Sequence, residues 1–161
     1  MIYLGIDPGA TGGLSVIMPE GLETEAVGGK TLLQTWTWID QWGDGLRTGV
    51  YAVIEKVGGY VGGAGDLGST MFQFGASFGA LRAFLVAASI PFAEVVPQRW
   101  QAEFGLKRAK NESKGKWKGR LAAEARRLYP DAHITVAVAD AVLIAEYCRR
   151  MRTVGLRRKS K

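Results

Sequence analysis

Three acidic residues stand where the surrounding hydrophobic pattern predicts buried backbone. Asp7 ends the apolar run IYLGI and opens the turn PGATGG, Glu55 ends the run YAVI, and Asp140 interrupts the stretch VAVADAVLIA. A charged side chain at such a position costs stability unless it is paired, solvated or bound to a metal. If the fold brings the three carboxylates together, their oxygens form a site of the kind that hard divalent cations prefer.

The charge of the chain is divided unevenly along its length. Residues 1–97 carry four Lys or Arg against nine Asp or Glu, whereas residues 98–161 carry seventeen against six. Such asymmetry is typical of a protein that binds a polyanion, most often nucleic acid. We interpret the dense stretch 107–127, KRAKNESKGKWKGRLAAEARR, as the part that contacts phosphate. The terminal RRKSK is better interpreted as a solvated surface.

The composition indicates one globular domain in a reducing compartment. A chain of 161 residues with 47% apolar content is long enough to bury its own core. Its single cysteine, Cys148, excludes an intramolecular disulfide framework. No basic segment followed by a long apolar stretch opens the chain, and no window resembles a membrane-spanning helix. We therefore expect a cytoplasmic protein.

Strand and helix patterns alternate along the chain. The strand patterns are residues 2–6, GLSVIM after the turn PGATG, residues 22–27, YAVIE, and PFAEVV. The helix patterns are LLQTWTWIDQW after Thr31, residues 69–88 with Ser69 as N-cap, residues 117–128, and a last helix from about residue 135 to about residue 151. Elements in this order predict an α/β fold with a mixed sheet.

The helix predicted at residues 69–88 is apolar almost all round, and Arg82 is its only charge. A helix of this kind must bury its whole surface, here either inside the domain or between two subunits. Small residues recur four apart at Gly75 and Gly79 and at Ala76 and Ala80, which permits close backbone approach. The sequence does not decide between the two environments.

These motifs, in this order, resemble the RuvC-type Holliday junction resolvases of the RNase H-like superfamily, in particular the compact versions of bacteriophages. The resemblance is carried by IDPGATGGLSV, VIEKV, the Gly- and aromatic-rich helix and ADAVLIAEYCRR, and covers about residues 1–152. It implies an RNase H-like α/β fold in which helices flank a mixed five-stranded sheet. Residues 1–152 would form a single nuclease domain, and residues 153–161 a basic C-terminal tail.

The resemblance also implies a chemistry. Asp7, Glu55 and Asp140 match the family's catalytic metal ligands, which hold Mg²⁺, or Mn²⁺ in its place, for hydrolysis of a phosphodiester. In the two-metal scheme one ion generates the attacking hydroxide and the other stabilises the leaving 3′ oxygen, which leaves a 5′-phosphate. Lys114 matches a basic catalytic position near the scissile phosphate, and Lys116 and Lys118 compete for that role.

The implied partner is branched DNA, especially the four-way junction. Tyr60 matches an aromatic residue that stacks on bases at the junction centre. The other residues expected at the DNA are Lys107, Arg108, Lys110, Lys114, Lys116, Trp117 and Lys118. Paired symmetric nicks require two related sites, so we expect a homodimer formed through the helix 69–88. The resemblance places the protein in the cytoplasm of a bacterium or of a phage-infected host cell.

One position departs from the family pattern. Many relatives carry an Asp or His three residues before the last acid, and this chain has Ala137 there. Alanine cannot bind a metal, so either the second metal site is weak or the protein binds branched DNA without cutting it. A third interpretation, an actin-like ATPase or phosphotransferase, rests on DPGATGG alone. Such enzymes repeat the fold in two lobes, and this chain has the length of one.

Overall fold

Five strands form one mixed sheet. The computed structural model describes residues 1–43, 49–56 and 67–159. The strands are Ile2–Asp7 (β1), Gly13–Met18 (β2), Gly21–Ala26 (β3), Val50–Glu55 (β4) and Phe92–Val95 (β5). Their order across the sheet is β3-β2-β1-β4-β5. Strand β2 pairs antiparallel with both β1 and β3, whereas β4 pairs parallel with both β1 and β5. The mixed five-stranded sheet predicted from the sequence is confirmed.

Helices follow the strands and end the chain. They are Leu32–Asp40 (α1), Leu67–Ala87 (α2), Pro97–Glu103 (α3), Lys114–Leu128 (α4) and Val136–Lys159 (α5). Helix α1 begins directly after Thr31, as predicted, and Thr31 and Gln34 form a reciprocal capping box at its start. The short α3 was not predicted, although Pro97 stands at its first position, where proline is favoured.

Three helix boundaries differ from the sequence-based expectation. The N-cap expected at Ser69 is wrong, because α2 already begins at Leu67. Helix α4 begins at Lys114 rather than at residue 117, since the Ser113 side chain accepts a hydrogen bond from the Lys116 N–H and caps it there. Helix α5 continues past Met151 to Lys159, so its backbone includes most of the segment expected to be a tail. Within the described ranges, no helix is both long and apolar enough to cross a membrane.

The sheet separates two hydrophobic clusters. Alternation along β4 sends Ala52 and Ile54 to one face and Val53 to the other. Helices α1 and α2 cover the first face, on which the side chains of Leu4 and Ile6 of β1 are also buried. Helices α3, α4 and α5 cover the second face. Because Gly5 and Asp7 alternate with Leu4 and Ile6, they lie on the second face, beneath α5.

Helix α5 lies directly against β1 and β2. A Cβ atom built on Gly5 would stand 2.1 Å from the Ala141 carbonyl oxygen and 2.2 Å from the Ala145 nitrogen. A Cβ atom on Gly13 would stand 2.9 Å from the Cα atom of Val138. Only glycine at these positions lets the helix backbone come so close to the strands. This contact sets the height of α5 above the sheet.

We predict that Gly5→Ala lowers the free energy of unfolding by more than about 3 kcal/mol, above the usual cost of overpacking, because the methyl group meets backbone atoms. Urea denaturation followed by circular dichroism measures the change. Gly119→Ala in α4 is the matched control, since a Cβ atom there meets nothing within 4 Å. The control should gain about 0.5 to 1 kcal/mol from helix propensity. Equal stability of Gly5→Ala and the wild type would contradict the close contact.

Candidate active site

Two of the three predicted acids end neighbouring parallel strands. Asp7 is the last residue of β1 and Glu55 the last of β4, and their predecessors Ile6 and Ile54 are register partners. The carboxyl ends of parallel strands meet at one edge of a sheet, so the two carboxylates lie side by side. Both belong to the face covered by α3, α4 and α5.

The third acid comes from α5. Asp140 directly precedes Ala141, whose carbonyl oxygen lies against Gly5 of β1, and its side chain is buried. One of its oxygens, Oδ1, is buried and has no hydrogen-bond partner. The structure therefore brings together the three acids that the sequence singled out, and it leaves one carboxylate oxygen without a donor.

Burial and the charges of neighbouring acids disfavour the ionised forms of Asp7 and Glu55. Burial, followed by the charge of Asp140, raises the pKa of Asp7 above its ordinary value. Burial and the charge of Asp7 raise the pKa of Glu55 to about 7. Perturbed carboxyl groups that face one another in this way are frequent at catalytic and metal sites.

The turn after β1 also holds the Asp7 side chain in place. The Gly9 N–H donates a hydrogen bond of 3.3 Å to Asp7 Oδ1, and the Gly12 N–H closes the turn on the Gly9 carbonyl at 2.8 Å. The Ser77 hydroxyl donates to the Pro8 carbonyl at 2.8 Å, which ties α2 to the same turn. The turn PGATGG therefore orients the carboxylate of Asp7.

Lys118 is the cation that reaches the acids. Its Nζ donates to Asp140 Oδ2 at 2.5 Å and lies 3.9 Å from Asp7 Oδ2. Burial alone would lower the pKa of Lys118, but the charge and hydrogen bond of Asp140 and the charge of Asp7 raise it overall. Lys114, preferred from the sequence, is exposed one turn earlier on α4, and its charge lowers the pKa of Asp7. Lys118, and not Lys114, is therefore the lysine that contacts the acids directly.

Trp100 contacts Glu55, which the sequence did not indicate. Its indole Nε1–H donates to Glu55 Oε2 at 2.7 Å, and the side chain is fully buried. This hydrogen bond opposes the upward shift of the Glu55 pKa. The available signal was PQRW directly after a predicted strand, because a helix that begins with Pro97 turns its fourth residue back toward the sheet.

Trp117, one of the predicted DNA contacts, lies in the hydrophobic core. Trp117 was expected to be a solvent-accessible DNA contact, and this is wrong, because its side chain is 6% exposed and packs in the cluster with Trp100 and Leu121. It lies on the inner stripe of α4, with Arg120 over its ring at 5.2 Å. Tyr60 lies outside the described residues.

The remaining predicted DNA contacts lie on the surface of α4 and of the loop that precedes it. Lys107, Arg108, Lys110 and Lys116 are exposed. Arg108 donates to the Glu112 carbonyl at 2.8 Å, and Arg120 pairs with the Glu112 carboxylate at 3.0 Å. These bonds fix the loop before α4 onto the helix. His133, interpreted as a surface residue, is exposed as well.

The three acids have the oxygen chemistry that a hard divalent cation prefers, but the structure does not group them around one ion. In the part of the chain that the structure describes, no three Asp, Glu, His or Cys side chains are grouped closely enough to hold one ion together. The chemical need for a cation is nevertheless present, since Asp140 Oδ1 has no partner and burial disfavours the charge of Asp7 and Glu55. Carboxylate oxygens are the ligands that Mg²⁺ and Mn²⁺ prefer.

The architecture is an RNase H-like α/β fold of the RuvC type. The structure of Thermus thermophilus RuvC in complex with Holliday junction substrate superposes with a TM-score of 0.68 and 22% identity, covering 96% of each chain. A second structure of Thermus thermophilus RuvC gives a TM-score of 0.61 and 22% identity, covering 95% of this chain and 98% of that one. No protein-family model and no curated protein matches the sequence. The RuvC-type fold expected from the sequence is confirmed.

We predict that the metal-free protein loses stability as pH rises from 5 to 8. The folded state holds the Glu55 proton up to pH about 7, whereas the unfolded chain releases it near the ordinary value of 4.5. Stability from this group is therefore present below 4.5 and lost as pH passes 7. The loss should not exceed about 3 kcal/mol. Urea denaturation in EDTA at several pH values measures it.

Glu55→Gln is the control, because an amide does not titrate. This variant should lose most of the pH dependence. Trp100→Phe removes the hydrogen bond that lowers the Glu55 pKa, so it should move the transition to higher pH. A wild-type stability that is flat between pH 5 and pH 8 would contradict the desolvated carboxyl group.

Proposed function

We propose that this protein is a metal-dependent endonuclease that cuts four-way DNA junctions. The observation that carries the proposal is the meeting of Asp7, Glu55 and Asp140 at one end of the sheet, beside the basic helix α4. A polyanion brought to this edge meets both the carboxylates and the surrounding lysines. The fold is shared with Thermus thermophilus RuvC, whose structure was determined in complex with Holliday junction substrate.

The three acids would hold Mg²⁺, or Mn²⁺ in its place. When bound, the metal supplies a Lewis acid that lowers the pKa of water and stabilises charge on the phosphate. The chain itself orients the ligands, through the Gly9 N–H at Asp7 and the Trp100 N–H at Glu55. Hydrolysis would consume water, break the bond between phosphorus and the 3′ oxygen, and leave 5′-phosphate and 3′-hydroxyl ends.

The exposed cations around the site would bind the DNA backbone. Lys114 and Lys116 begin α4 and are exposed, and Lys107 and Lys110 lie in the preceding loop. Phosphate contacts of this kind hold the substrate in register and carry no sequence information. Selectivity for a branched substrate would then come from the arrangement of two active sites.

A homodimer through α2 would supply the second site. The helix is apolar over most of its length, yet Phe72 is 77% exposed and Val86 is 68% exposed. Arg82 pairs with Glu94 at 3.0 Å, which neutralises the helix's only charge. An unpaired apolar helix face is a common subunit interface, and a two-fold axis would relate two nicks symmetrically.

A second candidate function is junction binding without cleavage. The specific observation is Ala137, one turn before Asp140, where relatives are expected to carry a ligand. A protein with a weakened metal site would retain the basic surface of α4 and the fold. The two candidates differ only in the outcome of a cleavage assay.

We expect the wild-type protein to cut a labelled four-way junction at symmetric positions in Mg²⁺ or Mn²⁺, and to leave linear duplex intact. Asp7→Asn should reduce cutting by about 1,000-fold or more, because it removes a ligand that the metal requires. The same variant should bind the junction at least as tightly as the wild type, since it removes a negative charge near the phosphate. Gel electrophoresis measures cutting, and fluorescence anisotropy measures binding.

Glu20→Gln, in the turn between β2 and β3 far from the acids, is the charge-matched control and should cut normally. Junction binding without cutting in either metal would select the second candidate. Normal cutting by Asp7→Asn would exclude the proposed metal site.

We expect the protein to be a dimer at micromolar concentration, and Phe72→Asp to shift it to the monomer. The carboxylate would be desolvated at the interface but solvated in the monomer, so the substitution penalises only the dimer. Analytical ultracentrifugation measures the mass. Leu33→Asp on α1 is the control, because Leu33 is 70% exposed but lies outside α2. A wild-type monomer would remove the explanation for paired nicks.

A further inference from the structure

A cavity of about 200 Å³ lies beside the edge strand β5, on the face of the sheet that α3, α4 and α5 cover. Buried side chains of two strands and of α5 line it, among them Val53, Val95, Tyr147 and Cys148. Val95 is the register partner of Glu55. The cavity therefore adjoins the edge of the sheet at which the acids lie.

Two arginines line this cavity without a carboxylate partner. Arg99 of α3 and Arg152 of α5 are both exposed, and among the described residues neither forms an ion pair. Glu94 also lines the cavity, but its carboxylate is paired with Arg82 of α2 at 3.0 Å. The cavity therefore offers two guanidinium groups to an anion.

The guanidinium of Arg152 is stacked on an aromatic ring. Its Cζ atom lies over the ring of Tyr51, 4.2 Å from the ring centroid. A guanidinium stacked in this way keeps the N–H donors at its edge free and leaves its outer face open to another flat group. Guanidinium planes and aromatic rings are the surfaces on which proteins stack unpaired bases. The stack also restricts Arg152 before binding, which lowers the entropy that binding costs.

A larger cavity, of about 490 Å³, lies near the start of β1 and has a different electrostatic character. It is lined by Tyr3, Tyr129 and Arg149, among others. The Arg149 guanidinium donates two hydrogen bonds to the buried Glu146 carboxylate, at 2.7 and 2.9 Å. Because that carboxylate already neutralises Arg149, an anion would gain little there. Of these two cavities, the one beside β5 is complementary in charge to a phosphate.

We propose that the cavity beside β5 binds one unpaired nucleotide of a DNA strand, with its phosphate on Arg99 and Arg152 and its base against the apolar lining. The inference rests on the proposed function, since it takes DNA as the partner, and it makes that function more specific. Arginine forks match the oxygens of a phosphate, and a flat base matches the stack on Tyr51. A carboxylate side chain of an acidic peptide would supply the anion without the flat apolar group.

The nucleotide must be unpaired, because a duplex keeps its bases inside the helix and out of reach of such a cavity. Arg99 directly precedes Trp100, which donates its hydrogen bond to Glu55. A nucleotide held by Arg99 therefore lies next to the acid cluster. The cavity would select DNA in which a base near the acids has left the paired state.

Fluorescence anisotropy with the full chain in EDTA tests the inference, because no divalent ion then takes part. The probes are a labelled oligothymidine and an abasic strand of the same length, which carries the same phosphates and no bases. The wild type should bind the oligothymidine about tenfold more tightly, which corresponds to the stacking of one base.

Two kinds of variant separate the phosphate contact from the base contact. Arg99→Gln and Arg152→Gln should each weaken binding of oligothymidine by about tenfold. Each should also lower the slope of log affinity against log salt by about 0.7, the contribution of one phosphate contact in a single strand. Ala93→Phe places an aromatic ring in the cavity from an exposed position of β5 and keeps both arginines. It should remove the preference for bases and leave the salt slope unchanged.

Lys30→Gln is the charge-matched control. It removes one positive charge after β3, at the opposite edge of the sheet, and should bind both strands as the wild type does. Circular dichroism confirms that each variant is folded. Because the comparison of the two strands uses the wild type alone, the test stays decisive even if a variant unfolds.

The outcomes separate this inference from the proposed function. Equal affinity of the wild type for the two strands, or unchanged affinity in both arginine variants, would overturn the nucleotide site and leave the nuclease proposal standing. A preference for bases that persists in folded Ala93→Phe would also overturn it. The expected binding, together with no cutting of a junction in Mg²⁺ or Mn²⁺, would support the site and overturn the proposed cleavage. No binding to any DNA would overturn both.

Discussion

The contact between α5 and the sheet determines where the three acids meet. Because Gly5 and Gly13 have no side chains, the backbone of α5 lies against β1 and β2, and Asp140 stands near the end of β1. The same contact excludes water from Asp7, which raises the pKa of its carboxyl group. Close packing therefore assembles the site and also disfavours the charge that it contains.

Helices α3 and α4 reduce this electrostatic cost without removing it. Trp100 donates one hydrogen bond to Glu55, and Lys118 supplies one positive charge to Asp140 and Asp7. One oxygen of Asp140 still has no partner. Natural proteins accept such local instability where function requires charge at a buried position, and they offset it by packing elsewhere.

The strands and the acids at their ends were predictable from the sequence, because apolar runs that stop at Asp7 and Glu55 are local patterns. The hydrogen bond from Trp100 to Glu55 could not be predicted in this way, because it connects the short helix after β5 to the end of the neighbouring strand β4. Trp117 was expected to be exposed because its sequence neighbours are charged. It is buried because it lies on the same face of α4 as the buried Leu121 and Ala125. Lys114 and Lys118 lie one turn apart on the same side of α4, so the choice between them depended on how far along the helix axis the acids lie, which the local pattern does not show.

The two faces of the sheet differ in the side chains that they bury. The described residues place the acids, Lys118 and Trp100 on the face covered by α3, α4 and α5, whereas α1 and α2 cover a core of aliphatic and aromatic side chains. In evolutionary terms, most substitutions in α1 and α2 can change the stability of this core or the exposed apolar surface of α2 while the acids, Lys118 and Trp100 keep their positions. Selection can therefore act on the core beneath α1 and α2 and on the acid cluster with little conflict between them.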